Sequence, residues 1–130
     1  MKYIMEQTIL SLLLTSPNPV AHTVQVDPGS YNWNYHFSPQ SLTIKSGDTV
    51  TWVNMYGNEH DIVLQRAPIG AEYFESPVLK KSRDKWSYQF TTSGTYVYRC
   101  NIHPDSAPAV IIVDRPSQPF EMRDVEEHSH

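Results

Sequence analysis

The 130-residue sequence predicts an all-β fold, a sandwich of short strands, and three observations carry that expectation. Apolar and polar residues alternate in short runs, the period of a strand with one buried face. Turn-forming clusters interrupt the runs at regular intervals. Five glycines and ten prolines argue against long helices, and three tryptophans and eight tyrosines suit pleated surfaces. The chain offers roughly seven strands in about a hundred residues, which is the density of a β-sandwich.

The elements follow in order. "HTVQV" alternates from His22 and stops at Asp27-Pro28-Gly29-Ser30, a turn cluster. "YNWNYHF" alternates aromatic and polar residues until Pro39. "SLTIKSGDTVTWVN" predicts two strands, Leu42–Lys45 and Thr49–Asn54, around a turn at Ser46-Gly47-Asp48. "HDIVLQ" predicts a strand beginning at His60, and residues 66 to 77 predict a loop punctuated by Pro68, Gly70 and Pro77. "KWSYQF" places Trp86, Tyr88 and Phe90 on one face, and "TYVYRC" alternates again after a Thr-Thr-Ser-Gly turn. "AVIIV" is continuously apolar, as expected of a strand covered on both faces.

The flanks differ in composition from this central stretch. Residues 1–21 form an apolar N-terminal segment open to two readings. The stretch from Thr8 to Leu14 is too short to span a bilayer. It suits a signal-peptide core, although Glu6 and a poor cleavage site at Pro19-Val20-Ala21 weigh against that. Alternatively, Ile4, Met5, Ile9, Leu12 and Leu13 share one face of a short amphipathic helix, which would dock on the domain or on a second copy of the chain. Residues 115–130 read as a polar, extended tail, and the domain proper spans 22–114.

Charge and cysteine content narrow the function. The formal net charge of −4 is unlike a phosphate-backbone binder, so nucleic acid is not an expected partner. Cys100 is the only cysteine, so no internal disulfide forms. A lone cysteine is commonly a small buried hydrophobe. In an exported chain, however, an odd thiol is a liability unless a metal holds it as a thiolate. His103 follows three residues later in "YRCNIHPDSAPAVIIV", a metal-loop spacing that leads straight into a strand. A zinc hydrolase would need one more Cys or His ligand, and a cysteine nucleophile would need a partner base and an activating helix end.

Two stretches then resemble one family. Phe37, Pro39, Leu42, Ile44, Gly47, Asp48, Val50, Trp52 and Asn54 match the opening of a cupredoxin. Ser76, Leu79, Trp86, Phe90, Gly94, Thr95, Tyr96, Tyr98, Cys100, His103 and Pro104 match its closing half. The resemblance covers roughly residues 22 to 114. It implies a Greek-key sandwich with one type 1 copper per chain, cycling between Cu(II) and Cu(I). It also implies ligands at His60, Cys100 and His103, a soft thiolate with two imidazoles that suits both oxidation states. Read singly, His60 is a surface histidine in an acidic loop and His103-Pro104 a turn; in this register the three together point to copper. His22 and His36 fall outside the pattern, and His128 and His130 end the tail.

The sequence departs from the family at the axial methionine. A short closing loop would place it at Ser106 and a longer one at Pro108; the early start of "AVIIV" favours the short form. Serine's side chain is too short and proline has no donor. Met55 has no evident reason to face the metal, and Met122 lies in the tail. The sequence is similar to open-site cupredoxins of archaea that oxidise ammonia, more than to members with the methionine. This implies one-electron transfer outside the cytoplasm with a redox partner protein. The alternatives are redox chemistry of nitric oxide or nitrite at an open copper position, where water also fits, and copper carriage.

Overall fold

The structure, a computed structural model, describes residues 18–27 and 37–116. The expected N-terminal leader or helix, most of "YNWNYHF" and the tail beyond residue 116 lie outside them. The described residues form eight strands and no helix. These are β1 Ala21–Val26, β2 Phe37–Ser38, β3 Ser41–Lys45, β4 Thr49–Asn54, β5 Val63–Arg66, β6 Lys85–Gln89, β7 Gly94–Arg99 and β8 Ala109–Asp114. Two four-stranded sheets result, in the orders β2-β1-β4-β6 and β3-β8-β7-β5. β1 runs parallel to β4 and β3 parallel to β8, whereas the remaining pairs are antiparallel. The all-β sandwich predicted from the sequence is the fold observed.

The alternation read from the sequence sets which side chains meet between the sheets. Val24, Val26, Val50 and Trp52 face inward from the first sheet, and Ile44, Tyr96, Tyr98, Ile111 and Val113 from the second. Trp52 bridges them, with its ring centroid 5.4 Å from Tyr98 at 82°, and Phe37 meets Tyr98 at 4.8 Å. Edge-to-face pairs of this kind add about 0.5–1.5 kcal/mol each beyond the area they bury.

Two turns need their glycines. Gly47 has φ 101° in the turn joining β3 to β4, where the Asp48 carboxylate accepts the backbone N–H groups of Lys45 and Val20 and pairs with His22. Gly94 opens β7 with φ 136°, and a β-carbon there would lie 2.6 Å from Pro68 Cβ.

Two strands differ from expectation. The strand predicted from His60 begins at Val63, because His60 instead makes an isolated bridge with Leu79 and lets the chain bend toward the end of the sandwich. β8 is not covered on both faces: Ala109, Ile111 and Val113 are buried, whereas Val110 and Ile112 are half-exposed. It is central in its sheet, between β3 and β7, but a two-layer sandwich covers only one face of each sheet.

Candidate metal centre

β4, β5, β7 and β8 deliver their connecting loops to one end of the sandwich. Cys100 directly follows β7, His103 sits in the loop to β8, and His60 lies between β4 and β5. These are the three residues the sequence singled out, and the fold brings them together. Cys100 Sγ is 3.9 Å from His60 Nδ1 and 3.5 Å from His103 Nδ1. The three donor atoms lie within 4.8 Å of one another. A triangle with such edges has its centre about 2–2.5 Å from each corner, the range of metal–nitrogen and metal–sulfur bonds. Cys100 and His60 are 0% and 1% exposed, and only His103 is half-exposed.

Burial acts oppositely on the two buried donors, favouring the protonated thiol of Cys100 and the neutral imidazole of His60. Burial pushes the Cys100 thiol above its ordinary pKa, against the opposing pull of backbone N–H groups at Asp61, His103 and Ile102. A bound cation reverses that preference and holds the thiolate. Burial, and then the neighbouring His103, lower the pKa of His60 and so favour the neutral imidazole, the form that offers a lone pair.

The loops are fixed by residues the sequence reading did not assign to the site. Asn54, fully buried at the end of β4, directs its Nδ2 to the carbonyls of Asn58, Leu79 and Lys81. Leu79 exchanges both backbone hydrogen bonds with His60, at 3.1 and 2.7 Å. Asp61 accepts the Asn101 N–H at 2.9 Å and so ties the segments carrying His60 and Cys100 together. Arg99 donates to the Pro104 carbonyl, and Gln40 donates to those of Ala107 and Pro108. Asp27 Oδ2 stands 3.4 Å from His60 Nε2 and accepts from Asn58 Nδ2 at 3.1 Å.

The family of copper binding proteins, the plastocyanin/azurin family, matches residues 22–113, most of the chain and all three clustered residues. The chain belongs to that family. Copper is its cofactor, one ion per chain, and the largely buried N, S, N cluster has the soft donor chemistry that copper favours. Among relatives, the chain is 33% identical over 76 residues to amicyanin of Paracoccus denitrificans, a match covering 58% of this chain and 57% of that protein. The chain thus spans little more than half the length of that relative. It is 42% identical over 72 residues to plastocyanin of Scenedesmus fuscus, covering 52% of this chain and 74% of the relative. Among solved structures, a purple cupredoxin from Nitrosopumilus maritimus superposes with a TM-score of 0.59 at 28% identity, covering 72% of this chain and 99% of the other. An amicyanin variant in its Cu(I) form superposes with a TM-score of 0.58 at 30% identity, over 72% of this chain and 82% of that one.

Within this cupredoxin the methionine question has a local answer. Ser106 is buried and Pro108 is exposed, so the inward-facing residue is the one the short-loop reading selected. Both the Ser106 N–H and its hydroxyl donate to the His103 carbonyl, at 3.0 and 2.8 Å. Met55 follows β4, and its sulfur lies 3.7 Å from the Arg83 guanidinium on an exposed surface. It is the only methionine among the described residues. His22 pairs with Asp48 and is not part of the cluster.

Proposed function

We propose that residues 22–114 form a one-electron carrier whose copper is held by His60, Cys100 and His103, working outside the cytoplasm with a redox partner protein. The observation that carries this reading is the convergence of two Nδ1 atoms and one thiol sulfur, two of the three residues buried, at one end of a rigid sandwich. When bound, copper supplies the Cu(II)/Cu(I) couple. The chain's own part is to hold the donors still, so that little moves when an electron arrives or leaves. The pinned loops described above serve that end. His103 reaches the surface beside exposed Ile102 and Pro104, which makes its imidazole edge the point of electron entry and exit. The copper proteins among the relatives support an extracytoplasmic carrier.

A second reading rests on Ser106. Its hydroxyl is engaged by a backbone carbonyl, and the one thioether of the described residues, that of Met55, is engaged by Arg83. We therefore infer an axial position without a thioether, where water or a small molecule such as nitrite or nitric oxide gains room. Voltammetry and visible spectroscopy of the copper-loaded chain, with and without nitrite, separate the readings. A reversible one-electron wave and a spectrum indifferent to nitrite support the carrier. A nitrite-dependent spectrum supports small-molecule chemistry, and the absence of a reversible wave overturns the carrier reading.

A further inference from the structure

Asp27 has no part in the ligand set, yet its placement is specific. It follows β1, whose last residue Val26 pairs with Asn54 of β4, so the parallel pairing brings Asp27 beside the loop that carries His60. Its backbone lies in the left-handed region, φ 56°, which L-residues adopt at some cost and which aspartate and asparagine tolerate better than most. The carboxylate is then held by Asn58, whose own carbonyl is held by the buried Asn54 amide. This chain of contacts aims Oδ2 at His60 Nε2, 3.4 Å away, a long hydrogen bond to a ring nitrogen that is 1% exposed with the rest of its side chain.

The two ring nitrogens of His60 have separate neighbours. Nδ1 faces Cys100 Sγ, so His60 as a ligand offers the Nδ1 lone pair. Nε2 must then carry the proton and donate it toward Asp27. A carboxylate in this position fixes both tautomer and ring orientation and makes the imidazole a stronger base. A more basic, more anionic ligand stabilises the higher charge of Cu(II) over Cu(I).

We propose that Asp27 is a positioning residue for the copper centre, which locks His60 through Nε2 and lowers the reduction potential by favouring the cupric ion. The proposal rests on the reading of His60 as a ligand. Its test uses the full chain and four proteins: wild type, Asp27→Asn, Glu59→Gln and His60→Ala. Asn is compatible with the left-handed backbone and removes the charge, and Glu59→Gln removes a like charge from the residue next to His60. Cu(II) and Cu(I) affinities are measured by chelator competition, the potential by voltammetry and the thiolate charge-transfer band by absorption. Asp27→Asn should weaken Cu(II) binding by about tenfold to a hundredfold, the usual effect of removing such an outer partner. Its potential should rise by about 59 mV for each factor of ten by which Cu(II) binding falls more than Cu(I) binding, while Glu59→Gln stays near wild type. Equal losses for both oxidation states, with the potential unmoved, would mean that Asp27 only supports the loop and would overturn the proposal. So would Asp27→Asn and Glu59→Gln shifting alike, or Asp27→Asn behaving as wild type while His60→Ala loses the band. If His60→Ala keeps the band, the ligand reading itself falls.

Discussion

Replacing Asn54 with alanine tests whether the sandwich holds His60 through a single buried amide. The Asn54 Nδ2 approaches three carbonyls, Asn58 at 2.9 Å, Lys81 at 3.2 Å and Leu79 at 3.3 Å. An amide has two protons, so these contacts amount to two full hydrogen bonds at about 1 kcal/mol each. The hole left by the removed amide adds roughly 1 kcal/mol. Against this, the buried Asn54 Oδ1 has no hydrogen-bond partner among the described residues, and removing it returns about 1 kcal/mol of desolvation cost. The net loss is about 2 kcal/mol, or roughly 8 °C in melting temperature for a chain of this size. Because Leu79 also exchanges both backbone hydrogen bonds with His60, the loss should reach the metal centre, and a chelator should strip copper faster from Asn54→Ala than from wild type. Thermal melts of the copper-free protein and stopped-flow chelation measure the two effects. A melting temperature within about 2 °C of wild type, with copper release unchanged, would refute the argument that this amide organises the ligand loop.

Gly94→Ala must place its β-carbon 2.6 Å from Pro68 Cβ at a backbone φ of 136°, and urea denaturation should show a loss of at least about 2 kcal/mol. Burial pushes the Asp48 carboxyl up, but hydrogen bonds from His22, Val20 and Lys45 outweigh it and hold its pKa below the ordinary 3.8. A group depressed in the folded state stabilises fully above its unfolded pKa and loses that contribution as the pH falls through the lower folded value. The urea midpoints of wild type and Asp48→Asn should therefore differ at pH 6 and converge as the pH drops below 3.8. Ser106→Met should raise the reduction potential through a soft thioether and cost the copper-free protein about 1–3 kcal/mol, since Ser106 is already buried. An unchanged potential there would remove Ser106 from the axial account.

The sandwich and the Cys100–His103 pair were legible in the sequence because both rest on local patterns, whereas His60, 40 residues before Cys100, came only from the family resemblance. Alternation in "HTVQV", "TVTWVN" and "TYVYRC" encodes which side chains enter the core, and the Cys100–His103 spacing lies within one loop. The positioning residues were not legible, since they depend on contacts between segments distant in the chain. Asp27 reaches His60 only because β1 pairs in parallel with β4, a register that no local periodicity specifies. Arg99 and Gln40 hold the loop after Cys100 through its carbonyls, and backbone acceptors leave no mark on composition. The start of β5 was misplaced for a related reason. "HDIV" has strand propensity, but His60 pairs with Leu79 and the Asp61 carboxylate turns to the Asn101 amide, so neither residue extends the strand.

The central claim is that His60, Cys100 and His103 together hold one copper ion. Its most direct test is a Cu(II) titration of the copper-free protein, followed by visible absorption, on wild type and Cys100→Ala. Wild type should develop an intense thiolate-to-copper band that saturates at one equivalent, and Cys100→Ala should develop none. A Cys100→Ala protein that colours like wild type, or a wild type that binds copper without the band, would contradict it.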